Sequence, residues 1–397
     1  MKFEWFGRKS RPVQTRAPAA WLSGWTSSEA PRGYESLVRA AYLANPIAQR
    51  AVRIVAEGAA GAPVLANPAG HPALKLLGGG TSGDSRTGPA LVETIAANLL
   101  LHGNAFVEVG LGPDGMPAAL YALRPERITV EADSAGWPVG FLYRAGDNIT
   151  RYPAMTVGER AGLLHIRSFH PLDDHYGLGC LGAAAGAVDT HNAASRWNKA
   201  LLDNAARPSG ALVYAPGDGS TLSPEGFDRL KAEMEAGYAG AANAGRPMLL
   251  EGGLSWQAMS LTPAEMDFGR ARDTASREIA LAFGVPPMLL GLPGDNSYAN
   301  YAEANVALWR LTLLPLTARI LTAIAEHLHD WWPGLELRID RDAIPALSVD
   351  RERLWAQVAA AGFLSDDELL VRAEALSKSG YGQYLKHLVE QKRRPRV

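Results

Sequence analysis

Three stretches of this chain hold residue types that could do chemistry. His165, His170 and His175 recur every five residues, with Asp173 and Asp174 between the last two. Imidazoles and carboxylates in that order could hold a metal ion, or serve hydrolysis or nucleotidyl transfer, if a loop folded around them. A spacing of five does not align them on one helix face, so the pattern favours a loop of solvated or capping residues. Gly78 to Gly83, Gly-Gly-Gly-Thr-Ser-Gly, could cradle a phosphate. No Gly-Lys-Ser/Thr follows it and no strong apolar strand precedes it, so it reads as a linker. Cys180 lies in Gly177-Leu178-Gly179-Cys180-Leu181, and no serine sits in a Gly-x-Ser-x-Gly elbow. Small-residue packing at a helix start is therefore expected at Cys180 rather than a nucleophile. The Trp331-Trp332 pair reads as the cover of a core or of a subunit contact. These readings predict no catalytic residue, no metal and no cofactor. At the C-terminal end, Lys392, Arg393, Arg394 and Arg396 cluster on a tail, where cations bind phosphate without sequence preference.

The framework that must position such residues is set by bulk properties. A length of 397 residues predicts two to three domains, and a 47% hydrophobic content supplies their cores. The 39 Lys and Arg nearly balance the 41 Asp and Glu, for a net charge of -2, which gives no global reason to grip nucleic acid or an anionic membrane. The single cysteine excludes an intramolecular disulfide. Lys2, Arg8 and Lys9 are followed by Pro12, Gln14, Arg16 and Pro18 rather than an apolar run, so no signal peptide is expected. Ala194 to Ala206 and Val306 to Leu328 are interrupted by charges or Pro, and no membrane span is expected.

Along the chain, residues 1–25 lack periodicity and read as an arm that orders on a neighbour, if at all. Residues 34–57 have helical spacing, with Asn45-Pro46 marking a helix start, and Leu91 to Leu101 is a helix ending at Gly103. Ala105 to Leu111, Leu120 to Leu123, Ile128 to Glu131, Phe141 to Arg144 and Leu163 to Arg167 read as strands of a helix-flanked sheet domain. Leu181 to Ala206 is a long helix, and a small β-α-β insertion follows, its helix opened by Ser223-Pro224 and its later strands at Met248 to Glu251 and Leu254 to Met259. Thr262 and Glu265 form a capping box that opens the next helix. A polar loop precedes a long helix from Tyr301, kinked at Pro315, then a strand at Leu335 to Ile339 and a helical hairpin over 349–376. The fold class is α+β.

This order, together with Gly103-Asn104-Ala105-Phe106, Leu164-His165-Ile166, Ala206-Arg207-Pro208-Ser209-Gly210, Leu250-Glu251-Gly252-Gly253, Ala282-Phe283-Gly284-Val285-Pro286-Pro287 and Tyr298-Ala299-Asn300, resembles the portal proteins of tailed phages and gene transfer agents. The chain departs from the usual Gly-x-Ser-Pro-Leu at Gly177 to Leu181, and the glycines at 78–83 replace a commoner Asn-Pro turn. The resemblance implies an arm (1–25), a wing (26–175), stem helices (176–207 and 262–286) flanking a clip (208–261), a tunnel loop (287–300), a kinked wing helix and strand (301–348), and a crown with a basic tail (349–397). It implies a ring, normally a dodecamer, around a channel for double-stranded DNA that passes non-specifically, and no enzyme activity. Partners implied are the terminase motor, the major capsid protein and a head-tail adaptor, at the portal vertex of a particle assembled in the bacterial cytoplasm. Asn296, Ser297, Tyr298 and Asn300 would face the DNA, with neutral hydrogen bonds and a flat ring suited to a sliding duplex. The alternatives are an adaptor or scaffold without a channel, and a hydrolase built on Asp173, Asp174 and the histidines.

Overall fold

The computed structural model describes residues 13–15, 33–77, 89–154, 162–203, 210–215, 223–238, 253–258, 268–292 and 298–348. The chain divides into two compact units, one from Met1–Ala184 with Ala280–Val397 and the other from Ala185–Ile279.

The larger unit begins with β1 (Val13–Thr15), α1 (Tyr34–Val38), a π-helical turn at Arg39–Leu43 and α2 (Pro46–Ala60). The Asn45 side chain caps α2 by accepting from the Ile47 and Ala48 amides at 3.0 and 2.9 Å, and Pro46 occupies the first turn, where its missing N–H costs nothing. There follow β2 (Val64–Asn67), α3 (Ala73–Leu77), α4 (Pro89–Leu101), β3 (Asn104–Leu111), β4 (Pro117–Leu123), β5 (Ile128–Ala132), β6 (Pro138–Ala145), β7 (Asn148–Pro153) and β8 (Leu163–Arg167). The strands do not make one sheet. They form an antiparallel β4-β3-β8 sheet, an antiparallel β1-β5-β6-β7 sheet, and a pair in which β2 meets β11 (Glu336–Ile339).

β3 feeds two cores because its side chains alternate. Ala105, Val107 and Val109 join Ile95, Ala96 and Leu99 of α4 and Ile320, Leu321 and Ile324 in the main core. Phe106, on the other face, meets Ile128, Val130, Phe141, Leu163 and Tyr176 in a second one. β7 carries no sequence signal because it is an exposed edge strand with Tyr152 as its half-buried exception, so its pairing with β6 is a backbone matter that leaves no apolar alternation. The arm expectation also needs correction at one point: Val13–Thr15 pairs with β5 of its own chain, the backbone amides of an open sheet edge sufficing without apolar periodicity.

The smaller unit holds most of α5 (Cys180–Asp203), then β9 (Gly210–Tyr214), α6 (Pro224–Tyr238), β10 (Leu254–Ala258) and most of α7 (Phe268–Ala282). β9 and β10 pair antiparallel, and the Ser223 hydroxyl caps α6 by accepting from the Gly226 amide at 3.1 Å, as the β-α-β reading expected. Met248 to Glu251 and the Thr262–Glu265 capping box lie outside the described residues, as does the 349–376 hairpin.

The long helix begins at Tyr298 rather than Tyr301 and runs as α8 (Tyr298–Leu308), a π-helical turn (Trp309–Leu313) and α9 (Leu314–His327). Pro315 follows the π turn within the first turn of α9, where it has no N–H to donate, and the Leu314 amide before it donates to the Trp309 carbonyl. Among the described residues, Asn300–Asp330 is the helix long and apolar enough to cross a membrane. Its apolar stripe, Ile320, Leu321, Ile324 and Leu328, is buried in the main core, while Leu311 stays exposed.

Candidate functional site

Two of the family-like stretches meet in a buried polar joint. Gly103 ends α4 at φ 82°, a left-handed conformation that glycine adopts without strain, and Asn104 follows with no exposed surface. The Asn104 Oδ1 accepts from the Gly177 amide at 2.7 Å, and its Nδ2 donates to the Gly177 carbonyl at 3.1 Å. One asparagine thus closes both backbone groups of a residue 73 positions away, at the approach to α5. With Oδ1 fixed as the acceptor, the His165 Nε2 at 3.0 Å must carry a proton and donate to it. Nδ2 also faces the His102 Nδ1 at 3.1 Å, which must be the bare acceptor nitrogen.

The bare Nδ1 makes His102 neutral, and burial disfavours the charged form of both rings. The His165 ring stacks on Phe106, centroids 4.2 Å apart, and burial pushes it down to about 3, aided by the Arg167 charge. His102 meets the edge of Tyr34, and burial pushes it down to about 4.

The glycines before α5 complete the joint. A Cβ on Gly177 would run into the Gly103 carbonyl oxygen and come within 2.5 Å of the Ser168 nitrogen, and one on Gly179 would lie 2.6 Å from the Leu101 oxygen. Gly177-Leu178-Gly179 therefore lets two backbones touch, a stronger demand than helix capping. Cys180 is half-buried at the start of α5, with its thiol pushed up by burial.

The suspected histidine and aspartate cluster does not converge as a reacting or metal-binding group. Asp173 accepts from the His175 and Tyr176 amides at 2.7 and 2.8 Å, His170 accepts from the Leu172 amide at 3.0 Å, and Arg167 donates to the Asp174 carbonyl. These are loop-capping roles, and the Tyr176 hydroxyl anchors the loop by accepting from the Val130 amide at 2.8 Å. Among the described residues, no group of three His, Cys, Asp or Glu side chains could hold a metal ion. Only His165, Asp174 and His175 of the five share a surface, a cleft of about 660 Å³.

A second joint explains Ala282 to Pro287. The Val285 amide donates to the Ala280 carbonyl at 2.9 Å and the Gly284 amide to that of Leu281 at 3.0 Å, a Schellman end to α7 with Gly284 at φ 65°. Thr312, inside the π turn, donates its hydroxyl to the Gly284 carbonyl at 2.7 Å, while Phe283 and Val285 are buried on either side. The segment then makes a short 3-10 turn at Pro287–Leu290 that ends on left-handed Gly291.

Of the residues assigned to the polar loop, Tyr298 and Asn300 lie in the first turn of α8, Asn300 being exposed. Asn296 and Ser297 lie outside the described residues, as do Lys392, Arg393, Arg394, Arg396 and Gly78 to Gly83. Trp331 is buried in the main core and Trp332 packs on its edge, ring to ring with His71 at 5.0 Å, so this pair covers a core. Asn104, Gly177 and Gly284 stand in family-like stretches, and their contacts lie beyond the reach of local sequence signals. The left-handed glycines were legible as helix ends, whereas the partner of Asn104 was not.

A family model described as phage portal protein matches residues 46–373. An uncharacterized protein of Rickettsia felis is 41% identical over 290 residues, 71% of this chain and 73% of its own length. A probable portal protein of Streptomyces phage phiC31 is 30% identical over 235 residues, 58% of this chain and 50% of that one. Among solved structures, a chain from the virion of a native gene transfer agent particle is 46% identical with a TM-score of 0.68, covering 90% of this chain and 93% of that chain. A chain from the neck of the native particle, computed with C12 symmetry, is 47% identical with a TM-score of 0.66, covering 85% and 92%. An HK97 family phage portal protein from Corynebacterium diphtheriae, 16% identical, has a TM-score of 0.57 over 77% of this chain and 96% of its own, a likeness of fold. The family match takes in α2, both polar joints, the smaller unit and the long helix, and with it this chain belongs to the phage portal protein family, a family of structural proteins.

Proposed function

We propose that this chain is the subunit of a ring-shaped portal through which double-stranded DNA enters and leaves a phage-like particle. The observation that carries the reading is the 47% identity, over 85% of the chain, to a protein of a particle neck computed with C12 symmetry. Twelve copies around one axis need a head-to-tail interface, and such an interface closes on itself without leaving a free surface. Exposed Leu281, Leu311 and Tyr301 are apolar surface that such a contact would cover. Negative-stain microscopy and native mass spectrometry of the purified chain test this: closed rings are expected, and a stable monomer at high concentration with no rings in particles would overturn it.

In this reading residues 26–175 with 301–348 are the wing, 176–207 and 262–286 the stem, 208–261 the clip, 287–300 the tunnel loop, and 349–397 the crown and tail. The separate compact unit Ala185–Ile279 supports the stem-and-clip division. The terminase and the head-tail adaptor would meet the clip, and the major capsid protein the wing. The ring would sit at the portal vertex after assembly in the bacterial cytoplasm. Asn296, Ser297, Tyr298 and Asn300 would touch the duplex through neutral groups, and Lys392, Arg393, Arg394 and Arg396 would touch it loosely through charge. A net charge of -2 suits a conduit, since a strongly basic lining would hold DNA by counterion release. The chain does no catalysis in this reading: energy comes from a separate motor, and an ATPase and nuclease assay of the rings should be blank.

A further inference from the structure

The antiparallel sheet β1-β5-β6-β7 ends on two strands whose outer sides pair with nothing among the described residues. Its strands alternate in direction, so β1 and β7 run opposite ways at opposite edges. An even number of antiparallel strands matters for copies of the chain. Set head to tail, β7 of one copy meets β1 of the next antiparallel, and the alternation continues unbroken, whereas an odd number would bring parallel strands together.

Strand β7 has the form of a joining edge. Asn148 pairs with Ala145 across the turn Gly146-Asp147, where Gly146 takes φ 62°, and beyond the far end the Ala154 amide donates to the Val139 carbonyl at 3.1 Å. The ladder to β6 therefore falls on Asn148, Thr150 and Tyr152, and the amides and carbonyls of Ile149 and Arg151 point away from β6. Devices that protect an open edge are missing: β7 has no lysine and no bulge, and its proline stands at the last position. Its single charge, Arg151, is drawn onto the buried Glu131 carboxylate at 2.6 Å, and the Tyr152 hydroxyl donates to Glu108 of β3 at 3.0 Å. The strand is thus held in place, which lowers the cost of ordering it on a partner, and Ile149 stays 56% exposed beside the free amides.

A head-to-tail contact needs two different, complementary surfaces on one chain, and the two edges of this sheet are such a pair. We propose, on the ring reading above, that β7 of one subunit pairs antiparallel with β1 of the next, joining their sheets across the subunit boundary. β1 has three residues, so the ladder is short and sets the orientation of neighbours more than their affinity.

Residue-resolved hydrogen exchange on assembled rings of the full-length chain tests the pairing. The Ile149 and Arg151 amides should be protected as Thr150 and Tyr152 are. Exchange of these two amides at the rate of an open edge, in intact rings, overturns the pairing and leaves the ring reading standing, whereas a failure to form rings overturns both. Chain carrying Gln14→p-benzoylphenylalanine, assembled from equal amounts of isotopically light and heavy subunits and irradiated, identifies the partner. Cross-links from position 14 to 148–152 are expected, as many joining the two labels as staying within one. Links confined to one label would mean that the chain pairs with itself, and no links to 148–152 would mean that something else covers the edge; either overturns the proposal. Ile149→Pro removes an outward amide and no bond to β6, so folding should persist by circular dichroism while the chain concentration at half assembly rises roughly fivefold. Unchanged assembly would overturn it too.

Discussion

At Asn104 a single side chain satisfies the amide and carbonyl of Gly177 and fixes the tautomers of two histidines. Asn104→Ala would leave those groups buried and unpaired, at about 1–3 kcal/mol each, so a loss of several kcal/mol in urea unfolding is expected. Asn104→Asp keeps the shape but loses the donor to the Gly177 carbonyl, and should also fail to restore stability. The histidines give the joint a pH dependence of known sign. Their folded values, about 3 for His165 and about 4 for His102, lie below the unfolded value, so the unfolded chain binds protons first as pH falls. Their contribution is complete above about pH 6.5 and is lost on acidification toward pH 3, by up to ~3 kcal/mol each. His165→Gln retains a donor for Asn104 without titrating, so its stability should fall less between pH 7 and pH 4.5 than that of the wild type.

At the scale of elements, the two joints work by letting backbones approach where a Cβ would not fit. Gly177→Ala places a methyl group against the Gly103 carbonyl, both of them backbone-bound and unable to move aside, and should cost ~3 kcal/mol or abolish folding. Gly284→Ala must hold alanine at φ 65° with its Cβ 2.9 Å from the Thr312 hydroxyl, whereas Thr312→Val removes one hydrogen bond. Thr312→Val should therefore cost ~1 kcal/mol and Gly284→Ala more, in that order in chemical denaturation. The starts of α2 and α6 were readable because Asn45-Pro46 and Ser223-Pro224 are local signals acting within three residues. Strand β7 was not readable, since an exposed edge strand is specified by its partner's backbone.

For the whole molecule, the portal reading makes charge at the channel the variable to change. Asn296→Lys with Asn300→Lys should leave ring assembly intact and lower the yield of filled particles, with the defect shrinking as salt rises because phosphate attraction is screened. Wild-type filling, or a defect already present in ring assembly, would remove this segment from the channel. Replacing Lys392, Arg393, Arg394 and Arg396 with Ser should reduce DNA retention in purified particles, and unchanged packaging and retention would argue against a role for the tail. The sequence by itself determined the helices α2, α4, α5 and α6, the strands with apolar alternation and the family, because caps and apolar periodicity act over a few residues. Tertiary structure alone decided that the strands divide among separate sheets and that β3 serves two cores, and it fixed which amides Asp173 and His170 accept from in the capped loop that their spacing favours. It also decided that Asn104 finds its partner 73 residues away, because a side chain's hydrogen-bond partner depends on which backbones the packed core brings together.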